Sequence, residues 1–218
     1  MFKTRKISDL IKEKGVFYSI RMVLAYIKKN IFGVYRAIIF ELDLKKPVPK
    51  INTNLKISYR FATKKDIDSM DEKQFNLDFK SKLYAKERLA NGNKCILALH
   101  NKKIIGHLWY MKDYMDLSLK KKILLSKNRA YTYNGFVIKE YRGKRIHAAM
   151  YAYIVNLLRK EGKRFVISAV DMDNRIALKT KLKNRADYEK IGKLYHIRFL
   201  GLKYDFIQKR ELTYLQKN

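Results

Sequence analysis

Hydrophobic positions follow two periods along this chain, and the switches between them mark out its elements. Leu55, Ile57, Tyr59 and Phe61 alternate with polar neighbours, as in a strand with one buried face. Thr63 and Asp66 have the spacing of a capping box and open a helix. The spacing predicts a second helix from Phe79 to Leu89, stopped at Asn91-Gly92. Two strands follow, Cys95 to His100 and Ile104 to Tyr110, joined as a hairpin through Asn101-Lys102-Lys103. Aromatic and β-branched residues fill a further strand, Tyr131 to Ile138.

Next come a basic loop, a helix from about Ile146 to Glu161 ended by Gly162, and a buried strand from Phe165 to Val170. A helix from Asn174 to Lys183 and one or two closing strands between Tyr195 and Phe206 complete the pattern. Strand, loop, helix and strand in that order require a parallel crossover. The basic loop then sits at the carboxyl end of the crossover's first strand, where open α/β sheets gather ligands.

The first 50 residues differ from this body. Ser8 is placed to cap a short helix ending at Gly15. Ile20, Val23, Leu24, Ile27 and Ile31 then recur at helical spacing, with Arg21, Lys28 and Lys29 on the other side. Such a helix packs on its own domain, packs on a partner subunit as in a homodimer, or lies on an anionic membrane. Lys45-Lys46-Pro47-Val48-Pro49-Lys50 reads as an extended linker. The chain therefore divides into a basic amphipathic helical extension and linker, 1–50, and an α/β body, 51–218.

Charge narrows the partners. Lys and Arg number 50 against 20 Asp and Glu, a formal net charge of +30, so the surface attracts nucleic acid, anionic lipid, a nucleotide cofactor or an acidic protein. Sixteen tyrosines suit base stacking, but the aromatics fall within strand and helix patterns that need a core, and no RNA-binding signature is present. Lys120-Lys121-Lys122 reads as a solvated connection. Cys95 is the single cysteine and sits in an apolar run, which leaves no intrachain disulfide, no zinc framework, and a buried structural thiol. No apolar stretch reaches the roughly 18 residues of a membrane span, and the N-terminus lacks a signal-peptide pattern. A cytoplasmic protein, with peripheral membrane contact through residues 1–50 as a variant, is the expectation.

The basic loop carries the chemistry. Phe136-Val137-Ile138-Lys139-Glu140-Tyr141-Arg142-Gly143-Lys144 resembles the strand and motif start, Arg/Gln-x-x-Gly-x-Gly/Ala, of the GNAT superfamily of acyl-CoA-dependent N-acyltransferases. Ile104-Ile105-Gly106-His107-Leu108-Trp109 is similar to another strand of that family, and Asn174 with Ala177 to the segment after its fifth strand. The resemblance runs from Leu55 to the C-terminus. It implies an α/β (α+β) fold: a mixed, mostly antiparallel central sheet with a parallel strand-helix-strand core, flanked by helices. It also implies an acyl donor, acetyl-CoA or another acyl-CoA, and a small-molecule primary amine, such as an amino sugar or amino acid, as acceptor.

Carried onto this chain, the donor site comprises Phe136, Val137, Ile138, Arg142, Gly143, Lys144, Arg145, Ile146, His147 and Asn174. Backbone N–H groups at the loop and helix start favour the pyrophosphate of coenzyme A, and the arginines and lysine add charge there. The chain departs from the motif in that its two later glycine positions fall on Arg145 and His147, whose side chains would crowd a close backbone approach. Either these side chains replace the missing glycines' role, or the donor is an acyl carrier protein with a single phosphate, or the fold has lost its chemistry.

The family's usual acid is a tyrosine about seven residues after the asparagine, and position 181 is a lysine. Its Gly-Phe pair would fall near Arg185-Ala186. Candidate catalytic residues are therefore Tyr131 and Tyr133 for the base, Tyr188 or a desolvated Lys181 for the acid, and His147. His100 and His107 lie on neighbouring strands as a further candidate pair, and Asp171 and Asp173 read as residues ordering the turn before Asn174.

Overall fold

The computed structural model describes residues 15–17, 32–47, 51–75, 79–118, 121–183, 188–199, 202–207 and 209–216. The expected helices from Ser8 and from Ile20 to Ile31 lie outside these residues, apart from the stretch at 15–17, as do Lys120 and the Arg185-Ala186 pair.

The strands are β1 (Phe32–Asp43), β2 (Ser58–Phe61), β3 (Lys94–His100), β4 (Lys103–Met111), β5 (Tyr114–Ser118), β6 (Lys121–Leu124), β7 (Arg129–Val137), β8 (Phe165–Asp171), β9 (Tyr188–Phe199) and β10 (Leu202–Ile207). The helices are α1 (Lys64–Ser69), α2 (Glu72–Phe75), α3 (Phe79–Ala90), α4 (Ile146–Lys160), α5 (Arg175–Lys183) and α6 (Lys209–Gln216). Among the described residues eight strands form one sheet in the order β10-β9-β1-β8-β7-β4-β3-β2. All neighbours are antiparallel except β7 and β8, the crossover pair joined through α4. The mixed, mostly antiparallel sheet is the one expected.

Local signals explain most boundaries. Thr63 caps α1 through the capping box, its side chain accepting from the Asp66 N–H while Asp66 accepts from the Thr63 N–H at 2.7 Å. Gly92, at φ 81°, ends α3, and the Asn93 N–H returns to the Arg88 carbonyl at 3.0 Å. Asn101 and Lys102 both take positive φ, the conformation a two-residue hairpin turn requires.

Two expectations change. The sequence pattern puts residues 32–43 in a helical extension, yet they form β1, inserted between β8 and β9. Ala37 to Leu42 are buried whichever way they point, so the run has no alternation to reveal a strand. The bond from the Leu44 N–H to the Arg164 carbonyl, with Arg159 reaching the carbonyls of Leu44 and Lys46, also fixes the start of the expected linker to the body. The segment around the lysine run was read as a solvated connection, but β5 and β6 pair as a hairpin. Its buried Met115 and Ile123 cover a second core with Tyr131, Ile167 and Leu215. Lys122 lies over the Tyr114 ring at 4.0 Å.

β1 is anchored across the sheet by a buried ion pair. Arg129 Nε donates to Glu41 at 3.1 Å, with side chains only 5% and 3% exposed. Tyr214 of α6 donates to the other Glu41 oxygen at 2.6 Å, and the Arg129 guanidinium lies between the Phe165 and Tyr214 rings. At the end of β1, Arg164 grips both Asp43 oxygens at 2.8 Å.

Candidate functional site

The site begins with an irregularity in β7. Trp109 faces Tyr133 and His107 faces Phe136, so Asn134 and Gly135 together oppose Leu108. Asn134 absorbs the extra residue at φ 48°. A bulge of this kind frees backbone groups from the ladder and re-aims side chains. On the other edge of β7, the pairing with β8 covers only Arg129 to Thr132 against Phe165 to Ser168, although both strands continue. The bulged segment 134–136 therefore borders an opening in the hydrogen-bonded sheet.

Beyond β7 the chain makes a single turn of 3-10 helix, Lys139–Tyr141, and then the basic loop. Gly143 has φ 78°, with nothing within 4 Å of the place a Cβ would occupy. Arg145, at the first altered glycine position, has φ 60° and ψ 14°. The loop thus retains a glycine-type conformation with an arginine in it, at a cost of about 1 kcal/mol or more. No side chain caps α4, and its first backbone bond runs from the Ala149 N–H to the Arg145 carbonyl. The N–H groups of Ile146, His147 and Ala148 precede that bond, so the helix start presents them to an anion. Lys144 and Arg145 are exposed around them. Arg142 donates to the Val137 carbonyl at 3.0 Å and lies over the Phe136 ring, which fixes the loop to the strand end. Open space at Gly143, uncapped amides and surrounding cations fit a phosphate-bearing donor.

His147, at the second altered glycine position, points back to β7. A Cβ at residue 135 would overlap its Nε2, so Gly135 supplies the room the imidazole occupies. Solvent reaches His147, but the crowded cleft walls and the Lys181 charge hold its pKa below the usual imidazole value. Lys181 itself is caged by aromatic rings, its Nζ 3.6 Å from the Tyr188 centroid and 4.5 Å from that of Tyr151. Burial pushes Lys181 down to about 7, while the two ring faces, which attract its charged form, pull the other way. Tyr151 is buried, and desolvation followed by the neighbouring Tyr188 raises its pKa.

On the opposite side of the bulge lies a cavity of about 300 Å3, lined by α1, α2, α3, β4 and β7. Arg88, His107, Trp109, Asn134 and Phe136 are among its walls. Asn134 and Phe136 border this cavity while Gly135, between them, lies under His147. Three consecutive residues thus touch two separate compartments.

The structure brings Lys181, Tyr188 and His147 into one cleft with the loop from Arg142 to Ile146. It places others elsewhere. Tyr131 is buried in the second core, its ring stacked on Tyr133 at 5.3 Å, which suits packing rather than proton transfer. The Tyr133 hydroxyl donates to the buried Asn93 side chain, and its ring lies 5.2 Å beneath Arg88. Ile138 is fully buried and its N–H bonds the Ile105 carbonyl at 3.0 Å, so this amide is already engaged. Asn174 caps α5 by accepting from the Ala177 N–H at 3.1 Å, and Asp171 orders the turn by accepting from the Asp173 N–H. His100 faces Lys103 and His107 faces Leu97, so these histidines are not cross-strand partners. Cys95 is buried, and desolvation pushes its thiol pKa up.

Sequence reading missed the roles of Gly135, Arg88 and Tyr151. The signal for Gly135 was present: an Asn-Gly pair inside a strand pattern marks a bulge.

Comparison with known proteins gives the family and the fold. The family model described as "Acetyltransferase (GNAT) family" matches residues 62–183. No curated protein matches the chain by sequence. Solved structures share the fold at low identity. A conserved protein from Staphylococcus epidermidis is 12% identical with TM-score 0.50, over 81% of this chain and 66% of its own. A Drosophila protein is 12% identical with TM-score 0.52, over 85% and 58%. A GCN5-related glucosamine N-acetyltransferase region of a fungal multi-domain GH3 β-N-acetylglucosaminidase is 14% identical with TM-score 0.50, over 79% of this chain and 22% of that one. The chain spans less than two thirds of the length of each of these proteins.

Proposed function

The chain belongs to the acetyltransferase (GNAT) family, and from that premise we propose that it transfers the acyl group of an acyl-CoA to the primary amine of a small molecule. The observation that carries this reading is the bulged segment 134–136, which borders a cationic cleft through Gly135 and a separate pocket through Asn134 and Phe136. Such an arrangement lets a donor and an acceptor approach one short piece of strand from two sides.

The first-turn amides of α4, with Arg142, Lys144 and Arg145, would hold the donor's phosphates. The donor supplies the thioester, an acyl group with a thiol leaving group. A backbone N–H at the bulge would stabilise negative charge at the thioester oxygen. The amine acceptor occupies the pocket beside His107 and Asn134. Lys181 replaces the family's tyrosine as proton donor to the departing sulfur, since burial brings it to about 7 and makes its proton available near neutral pH. Tyr188 and Tyr151 position Lys181 through their rings. Tyr133, tied to Asn93, lies beneath Arg88 of the pocket wall.

Thermal shift with acetyl-CoA, a long-chain acyl-CoA and an acyl carrier protein tests this reading. A CoA thioester should raise the melting temperature, and Arg142→Ala and Arg145→Ala should weaken the effect. If neither CoA thioester has an effect while the variants stay folded, acyl-CoA-dependent transfer is excluded. A shift with acyl carrier protein alone would reassign the donor.

A further inference from the structure

Resting on the pocket assigned above, we infer that the acceptor carries a carboxylate besides its amine, and that Arg88 and a ring N–H of His107 recognise it. Two observations meet in the same cavity. The Arg88 guanidinium lies 5.2 Å from the Tyr133 ring centre and 5.9 Å from that of Trp109, and among the described residues no carboxylate pairs with it. His107 is 4% exposed, and its Nδ1 is buried without a hydrogen-bond partner. The ring packs against Phe75 and Phe136, at 6.0 and 5.8 Å, which offer it no polar contact.

A cation with no counterion among the described residues and a buried ring nitrogen with no hydrogen-bond partner among them share one ligand chemistry. An oxyanion satisfies both, since guanidinium and neutral imidazole each present N–H donors in a plane. Among the described residues the remaining polar side chains in the wall, Ser81, Tyr84 and Asn134, are uncharged, and none that lines the cavity is acidic. A polycationic amine would therefore meet Arg88 without compensation. An amino acid meets a matched site, and its ammonium, brought near Arg88, loses its proton more readily to become the neutral nucleophile. At about 300 Å3 the cavity is at the small end for ligand sites, and Phe75, Trp109 and Phe136 supply apolar wall for a side chain.

The test reads binding before activity. The full chain, without donor, is titrated calorimetrically with L-phenylalanine and L-phenylalaninamide, and with phosphoethanolamine and ethanolamine. The acid should bind at least about tenfold more tightly than its amide, the effect of one charge-assisted contact. Arg88→Gln should bring that ratio near one, and Arg88→Lys should restore part of it. Failure of the acid to bind, equal binding of acid and amide, or discrimination confined to the phosphate pair each overturns the proposal. The two-ligand comparison on the unaltered chain does not depend on any variant folding. Transfer from acetyl-CoA to each amine is then measured separately. Carboxylate-selective binding with no transfer removes the acyltransferase reading and leaves the carboxylate site at Arg88 and His107 standing. Transfer to the amide as fast as to the acid keeps the acyltransferase and removes the carboxylate site.

Discussion

Lys181 stands over Tyr188, its Nζ 3.6 Å from the ring centre, at the position where the resemblance calls for a tyrosine hydroxyl. A desolvated ammonium here can do a phenol's work because its pKa of about 7 lies far below that of a solvated lysine. Lys181→Met should lower kcat by about 100-fold or more, the scale of general acid catalysis, with acetyl-CoA affinity little changed. Lys181→Tyr should retain more activity than Lys181→Met. The wild-type rate should rise with pH as the acceptor amine deprotonates and fall as Lys181 loses its proton near 7; the falling limb should vanish in Lys181→Met. An unchanged falling limb would assign the acid elsewhere.

The same burial affects stability with a definite sign. Lys181 titrates near 7 in the folded chain and near its ordinary 10.5 when unfolded. Between those values the unfolded state binds more protons, so the Lys181 contribution to stability rises with pH across that window and is flat outside it. Urea unfolding of wild type and Lys181→Met at pH 7 and pH 9 should show wild type gaining relative to the variant at the higher pH.

Gly135 and His147 are coupled sterically. A Cβ at 135 overlaps His147 Nε2 and comes within 2.9 Å of Leu108 Cδ1. Gly135→Ala should displace the imidazole and weaken acetyl-CoA binding in thermal shift, and His147→Ala should recover part of that loss in the double variant. Additive effects would separate the two residues.

The Glu41–Arg129 pair should be expensive to break and cheap to replace. Arg129→Met leaves a buried carboxylate and should cost ~3–5 kcal/mol in denaturant unfolding. Glu41→Leu combined with Arg129→Met should cost less than Arg129→Met alone, because no charge remains buried. Equal losses would show that packing against Phe165 and Tyr214 dominates.

Thr63→Ala should destabilise the chain by about 1 kcal/mol through the lost cap. Asp66, bonded by Arg60 and Thr63, has its carboxyl pKa held well below the ordinary range. A depressed carboxylate contributes fully above its unfolded pKa of about 4 and loses that contribution as pH falls through the folded value. Asp66→Asn should therefore destabilise at pH 7 and converge with wild type in strong acid.

Legibility tracked whether a signal was local. The capping box at Thr63 and the stop at Gly92 rest on a few adjacent residues, and the structure has them as read; the hairpin expected through Asn101-Lys102-Lys103 turns on Asn101 and Lys102, with Lys103 already in β4. The parallel crossover followed from element order, and the mixed, mostly antiparallel sheet around it from the family resemblance. β1 was hidden because a strand buried on both faces has no period of two, and the short charged strand β6 lacks the apolar run that would advertise it.

What the sequence determined by itself was the succession of elements, the basic loop at the carboxyl end of β7, and the family resemblance that the family match bears out. These depend on periodicity, caps and short motifs, which neighbouring residues specify. Only the tertiary structure decided how the departures from the motif are accommodated. Arg145 takes a glycine's backbone conformation, His147 uses the room left by Gly135, and burial lowers the Lys181 pKa against the opposing pull of ring faces from α4 and β9. Desolvation, steric room and a partner's absence are sums over atoms brought together from distant parts of the chain, so no local pattern could contain them.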